Sequence, residues 1–167
     1  KNEHLSLESP ASTFHPPTLD MLGRFPGVVE RLVAQGLICP TWQFRDRQQG
    51  VIATFEMARL KDDTAHPYRL QCEQWRLTRM LRDMLAQNPD VTFPYDAKAT
   101  DVAQDEDGVT LMVERLEGET ETLRCAYLVG ADGARSAVRK ALGIAFDGMT
   151  IPETYLTLST TFAFHET

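Results

Sequence analysis

The stretch YLVGADGARSAVRKALGI, residues 127–144, constrains the fold more than any other part of the sequence. Its apolar start predicts the end of a buried strand at Val129. The letters AVRKAL predict a short helix with Ser136 as its N-cap and Gly143 as its stop. A strand that gives way to a helix through a glycine turn is where open α/β sheets bind ligands. The stretch therefore predicts a ligand-binding turn.

The turn contains residue types that suit a nucleotide. Gly130 and Gly133 permit unusual backbone angles and let a ligand approach the main chain closely. The Asp132 carboxylate suits ribose hydroxyls, or it ties down an Asx-type turn. Arg135 and Arg139 carry positive charge that suits phosphate groups, or they face solvent. From these residues alone, a ligand site and a plain Asp-Gly turn stay equally open.

Helical and strand periodicities organise the rest of the chain. The segments with helical signals are residues 17–22, 27–35 and 68–90, the last of which is the clearest helix. The segments with strand signals are a hairpin around 48–50, an antiparallel meander at 97–104, 108–116 and 120–129, and an alternating run at 154–164. These patterns predict a mixed fold of helices and antiparallel sheet.

Gln74 is an irregularity in the third predicted helix. It lies three residues before Leu77 and seven before Leu81, so helical spacing places its amide on the apolar face. A primary amide that faces inward needs a hydrogen-bond partner. That partner is either local backbone at the helix end or a bound ligand, and periodicity leaves both alternatives open.

Composition and charge argue against several functions. The chain has 24 acidic and 17 basic residues and a formal charge of -7, so no basic field predicts nucleic-acid binding. Its three cysteines are far apart, which predicts buried reduced thiols and a cytoplasmic protein. No apolar run predicts a membrane span, and no leader is expected. The scattered histidines predict no metal site, and Ser136 lacks the surroundings of a hydrolase nucleophile.

The usual phosphate-binding fingerprints are missing from the sequence. GADGAR lacks the third glycine of G-x-G-x-x-G, and no other segment supplies that triplet or a P-loop. A dinucleotide bound at this turn would therefore need its main phosphate site elsewhere. Because the chain begins without Met and ends just after an alternating run, we expect both ends to be cuts in a longer protein.

The Asp-Gly stretch closely resembles a motif of the FAD-dependent monooxygenases related to para-hydroxybenzoate hydroxylase, the single-component aromatic hydroxylases. In that motif an apolar strand ends in Gly-x-Asp-Gly and is followed by x-x-Ser-x-x-Arg. LQCEQWRLTRML, residues 70–81, resembles the helix whose first-turn glutamine contacts the flavin side chain. ASTFHPPTLDML, residues 11–22, resembles the segment after the second strand of the family's Rossmann unit.

The resemblance implies a set of cofactor-binding residues. It assigns the flavin contact to Gln74 and places Asp132 and Gly133 near the FAD pyrophosphate and ribose. Arg135 supplies charge in the same turn, and Arg139 belongs to a groove that NAD(P)H visits. Relatives often carry an arginine where Pro10 stands, so that cofactor contact is not expected here.

The implied fold is α/β (α+β), the middle portion of the family's FAD-binding fold without the N-terminal G-x-G-x-x-G unit. Residues 1–40 and 66–148 are expected in the FAD-binding domain, and 41–65 and 149–167 in a substrate-binding sheet domain. Phe44 and Phe55 lie in the latter and are expected to be core residues rather than pocket walls.

The implied activity is hydroxylation of an aromatic or similar small organic substrate with O2 and NAD(P)H, through a flavin hydroperoxide. No catalytic residue is identified in this chain. A non-catalytic α/β binding module is the alternative of another class, and flavin-dependent halogenases and reductases share related frameworks. A sheet edge left open by missing strands predicts a homodimer.

Overall fold

The computed structural model describes residues 11–154, which form two compact units. The first unit comprises the residues up to Lys98 together with Arg115–Glu119, and the second comprises Ala99–Glu114 together with the residues from Thr120 onward. The predicted strand at 154–164 lies almost wholly outside the described residues. Within the described part, no helix has the length and apolar character that a membrane crossing requires.

The helices and strands follow one another in a mixed order. In sequence they are β1 Thr13–Phe14, α1 Pro16–Leu22, α2 Val28–Val33, β2 Leu37–Cys39, β3 Thr41–Asp46, β4 Gly50–Glu56, a 3-10 turn Met57–Leu60, β5 Arg69–Gln71, α3 Gln74–Leu85, β6 Ala97–Asp105, β7 Gly108–Arg115, β8 Thr120–Cys125 and α4 Ala137–Ala141. The predicted mixture of helices and antiparallel sheet is confirmed.

The first unit packs α1, α2 and α3 around an apolar core. Its fully buried side chains are those of Leu19, Val28, Leu32 and Leu70. Prolines occupy the start of α1, where a missing N–H costs nothing because first-turn N–H groups have no partner within the helix. The helices predicted at 17–22 and 27–35 are both present with slightly different bounds.

A small antiparallel sheet with the order β1-β5-β2 covers this core. The sequence predicted that the third helix begins at Tyr68, and this prediction is wrong. Residues Arg69–Gln71 form the central strand β5, and α3 begins at Gln74. Leu70 pairs with Phe14 on one side and Ile38 on the other, and Leu70 and Cys72 are both buried. Burial at alternate residues is the period of a strand, so strand pairing overrides helix propensity here.

The predicted hairpin forms from β3 and β4, which pair antiparallel. The expectation that Phe44 and Phe55 are core residues is wrong, since they are 56% and 48% exposed. In the described part of the chain the hairpin is a two-stranded sheet whose residues are nearly all exposed, so no layer buries these rings.

The second unit contains the predicted meander, with the order β6-β7-β8. Val109 and Val113 of β7 point to the same face and are buried. The predicted third strand was too long: β8 ends at Cys125, and Tyr127 and Val129 are 91% and 85% exposed. No strand within residues 11–154 pairs with this run, so its apolar side chains find no layer to cover them.

The three cysteines are free, as expected. Burial was predicted correctly only for Cys72, where it raises the pKa of the thiol. Cys39 and Cys125 are half-buried near strand ends. The thiols therefore form no cross-link within the fold.

Candidate functional site

The Asp-Gly turn connects β8 to α4. Its main chain packs closely against α4 at Gly130 and has free space beside it at Gly133. A Cβ on Gly130 would lie 3.0 Å from Val138 Cβ and Cγ1, so a side chain there would press on α4. Gly133 has φ +79, a left-handed angle that favours glycine, and a Cβ there would meet nothing within 4 Å. The main chain at Gly133 is therefore accessible.

The Asp132 carboxylate fixes the start of α4. It accepts hydrogen bonds from Ser136 Oγ at 2.5 Å, Ala137 N at 2.6 Å and Val138 N at 3.3 Å. Ser136 Oγ in turn accepts from Arg139 N at 2.9 Å, which confirms Ser136 as the N-cap. The Ser136 hydroxyl, followed by the two backbone N–H groups, holds the pKa of Asp132 below its ordinary value of 3.8.

Of the two alternatives for Asp132, these contacts demonstrate the structural one: the carboxylate ties down the turn. They leave its outer side accessible, because Asp132 is itself exposed. A carboxylate has about four acceptor positions, and the observed bonds use three of them. The structural task and a ligand contact are therefore compatible in the same side chain.

Arg139 is the most restrained cation of the turn. Its Nη1 donates to the Ala134 carbonyl at 2.8 Å, and its guanidinium carbon lies 4.6 Å from the centroid of the Phe146 ring. Its Nε is shielded from solvent and has no hydrogen-bond partner within residues 11–154. Arg135, by contrast, is exposed. Phe146 was not predicted from the sequence, where its only signal is an aromatic residue shortly after the Gly143 helix stop.

Gln74 occupies the first position of α3 and belongs to the first unit. The expectation that it faces inward is wrong, because the residue is exposed. Met80 is the buried residue of α3, and Leu77, Leu81 and Met84 pack against the same core, so the apolar face of the helix does not include Gln74. The Gln74 backbone N–H donates to the Ala11 carbonyl at 3.0 Å, which fixes where the helix begins.

The predicted site residues therefore fall into two groups. Asp132, Gly133, Arg135 and Arg139 lie together within one turn and the helix that follows it, in the second unit. Gln74 lies in the first unit at a helix start.

A polar cluster that the sequence did not predict joins Asp20 of α1 to the loop before β5. Asp20 Oδ1 lies 2.7 Å from His66 Nδ1, and Thr64 Oγ1 donates to Asp20 Oδ2 at 2.6 Å. Thr64 and then His66 hold the pKa of Asp20 below its ordinary value. These two contacts tether the helix to the loop. Within the described residues no group of three potential metal ligands occurs.

The hairpin and the 3-10 turn line a concave surface of the first unit. A cavity of about 600 Å³ is lined by Trp42, Phe55, Met57, Arg59 and Leu60, among others. The Trp42 and Phe55 rings lie 4.8 Å apart between centroids and form one wall. Phe55 is thus a pocket wall, the alternative that the sequence analysis ranked second, whereas Phe44 does not line this cavity.

The Asp-Gly turn fits a phosphate-bearing cofactor such as FAD. Arg139 Nε is a donor without a partner in the described residues, and the main chain at Gly133 is open to close approach. Arginine presents several N–H donors in a fixed plane, which matches the oxygens of a phosphate. The donor chemistry of the turn therefore agrees with the group that the sequence resemblance implies.

Comparison with known proteins gives a consistent result. A family described as an FAD binding domain matches residues 1–164. Para-nitrophenol 4-monooxygenase of Pseudomonas sp. (strain WBC-3) is 32% identical over 86% of this chain and 35% of its own length. The 6-hydroxy-3-succinoylpyridine 3-monooxygenase HspB of Pseudomonas putida (strain DSM 28022 / S16) is 32% identical over 92% of this chain and 39% of its own length.

A solved structure has the same fold. The p-nitrophenol 4-monooxygenase PnpA from Pseudomonas putida DLL-E4 superposes with a TM-score of 0.81 at 31% identity, over 88% of this chain and 37% of the PnpA chain. The present chain thus spans well under half of the length of these relatives.

Proposed function

The chain belongs to the FAD binding domain family, and on that premise we propose that it is part of an FAD-dependent monooxygenase. The complete protein would consume NAD(P)H and O2 and hydroxylate an aromatic or similar small organic substrate. The observation that carries this proposal is the Asp-Gly turn, in which a capped helix start holds Arg139 beside an open glycine.

When bound, FAD supplies the electron-transfer and oxygen-activating chemistry. The chain's own residues bind and orient it. The outer side of the Asp132 carboxylate accepts a hydrogen bond from a ribose hydroxyl or an ordered water, while its inner side keeps the turn in place. Gly133 lets the cofactor approach the main chain, and Arg135 and Arg139 stabilise negative charge on phosphate groups.

Gln74 suits a contact with the flavin side chain. As the first residue of α3 it is exposed, and its backbone is anchored by the bond to Ala11. An amide at such a position presents both a donor and an acceptor to a polyhydroxyl chain. The helix start therefore supports the cofactor role proposed for this residue.

The division of the chain into functional domains is part of the same proposal. Residues 1–40 and 66–148 would serve the FAD-binding domain, and 41–65 and 149–167 the substrate-binding sheet. The aromatic wall of the hairpin cavity supports a substrate role for the second set. Self-association through an open sheet edge and a cytoplasmic location also stay predictions.

The names of the similar proteins favour hydroxylation over halogenation or simple reduction. A non-catalytic binding module remains the alternative of another class, and it differs in a measurable way. Such a module would keep the fold but would show no flavin-dependent oxidation of NAD(P)H.

The experiment uses the full-length protein with Gln74→Ala and Asp132→Ala. Each change should weaken FAD binding by about tenfold, since a hydrogen bond to a ligand is worth roughly 1–2 kcal/mol. Asp46→Ala is the matched control, because Asp46 also accepts hydrogen bonds from two backbone N–H groups and ties down a turn. Unchanged FAD affinity and unchanged flavin reduction in both site variants would refute the site assignment.

A further inference from the structure

Phe146 is an exposed aromatic side chain with one specific contact. The residue is 70% exposed, and its ring centroid lies 4.6 Å from the Arg139 guanidinium carbon. A guanidinium is attracted to the face of an aromatic ring by the ring's quadrupole and stacks on it as a flat group. This contact gives the exposed ring a partner.

The chain after α4 is folded so that Phe146 returns to Arg139. Gly143 has φ +67, a left-handed angle that ends the helix, and the Ile144 N–H donates to the Arg139 carbonyl at 3.1 Å. The residues that follow the helix therefore start beside the backbone of Arg139. The ring of Phe146 then contacts the Arg139 guanidinium.

Two restraints fix the Arg139 guanidinium. Nη1 donates to the Ala134 carbonyl at 2.8 Å, and Phe146 stacks against the group. Nε is shielded without a hydrogen-bond partner within residues 11–154, and Nη2 has no hydrogen bond there. A side chain that is already held in one orientation loses less conformational entropy when a ligand binds it.

We propose that Phe146 is a positioning residue, which by stacking holds Arg139 in the orientation that binds a phosphate group of a dinucleotide. This inference rests on the proposed function, which supplies FAD and NAD(P)H as the two dinucleotides. Phe146 touches neither of them in this role. A ring that only stabilised the residues after α4 would leave phosphate binding unchanged.

The test compares Phe146→Leu, Phe146→Tyr and Arg139→Gln with the double variant in the full-length protein. FAD affinity is measured by titrating the apoprotein and following flavin fluorescence, and NAD(P)H use is measured as KM and kcat of the FAD-loaded protein. Phe25→Leu is the matched control, since Phe25 is 51% exposed and stacks on no cation within residues 11–154.

Phe146→Leu should weaken the binding of one of the two dinucleotides by about two- to fivefold, which corresponds to the free energy of an exposed cation–π contact. The kcat at saturating NAD(P)H should stay unchanged. A raised FAD dissociation constant identifies the FAD phosphates as the ligand, and a raised KM identifies NAD(P)H. Phe146→Tyr should restore wild-type binding, because it keeps the ring. In the Arg139→Gln background Phe146→Leu should add nothing, because the two residues act as a unit.

Wild-type binding of both dinucleotides by Phe146→Leu would overturn the positioning role. An equal loss with and without Arg139 would overturn it as well, since the ring would then act independently of the guanidinium. If the proposed function is wrong, the outcome is different: the wild-type protein itself would bind no FAD and oxidise no NAD(P)H. That outcome would refute the positioning role as well.

Discussion

Asp132 combines a structural and a proposed binding task in one side chain. Its inner hydrogen bonds to Ser136 and to two backbone N–H groups define the helix start on which the position of Arg139 depends. Sequence reasoning left the turn-forming and ligand-binding alternatives equally open, because a lone Asp-Gly pair suits both. The hydrogen bonds demonstrate the turn-forming role, and the exposed side of the carboxylate is compatible with the ligand-binding role.

The charge state of Asp132 should control how strongly the first backbone amides of α4 are protected from hydrogen exchange. Its pKa is lowered in the folded state, so its contribution to stability is present above the ordinary value of 3.8 and is lost as pH falls through the lower folded value. We expect the Ala137 and Val138 amides to exchange more slowly in the wild type than in Asp132→Ala near neutral pH. The difference should shrink below pH 3.8.

Hydrogen–deuterium exchange of the two proteins, each corrected for the intrinsic rate at the same pH, provides the measurement. Taking the difference between the proteins removes the effect of other carboxylates with lowered pKa values, such as Asp20 and Asp105. Equal protection of the two amides near neutral pH would show that Asp132 does not cap the helix in solution.

Side-chain contacts between separate segments account for what single-residue reasoning missed. The Asp20–His66 tether and the Arg139–Phe146 stack join residue types that occur throughout the chain, and no local pattern links the partners. Ser136 and Gly143, in contrast, act within their own helix turn and were predicted correctly. Local capping is readable from sequence because its partners are fixed by spacing.

At the scale of elements, periodicity predicted the long segments and failed at short ones. Helix α3 and the β6-β7-β8 meander are long enough to show their periods, and both are present. Strand β5 has only three residues and directly precedes a strong helix, so its alternation was hidden. Its identity depends on pairing with β1 and β2, which sequence periodicity does not encode.

Leu70 should therefore be critical for the first unit. It is fully buried at the centre of the β1-β5-β2 sheet, and Leu70→Ala should lower the free energy of unfolding by about 2–5 kcal/mol through lost burial and a residual cavity. Ile38, its partner across the sheet, is 44% exposed and provides the control. Denaturant unfolding in which Ile38→Ala costs as much as Leu70→Ala would contradict this core assignment.

At the scale of the whole molecule, the fold class and the family followed from three short motifs, and the comparisons confirm both. The burial of Tyr127 and Val129 could not be predicted in the same way, and both residues are exposed. The sequence shows that these residues are apolar, but burial depends on a neighbouring layer that the described residues do not provide. Substrate identity has the same limit, because the chain covers little more than a third of its relatives.

FAD binding by the full-length protein is the most direct measurement. The protein should purify with a flavin absorption spectrum, or acquire it on titration with FAD, and the loaded protein should oxidise NAD(P)H in the presence of O2. A folded full-length protein that takes up no FAD under these conditions would contradict the cofactor role of the Asp132 turn and favour a non-catalytic binding module.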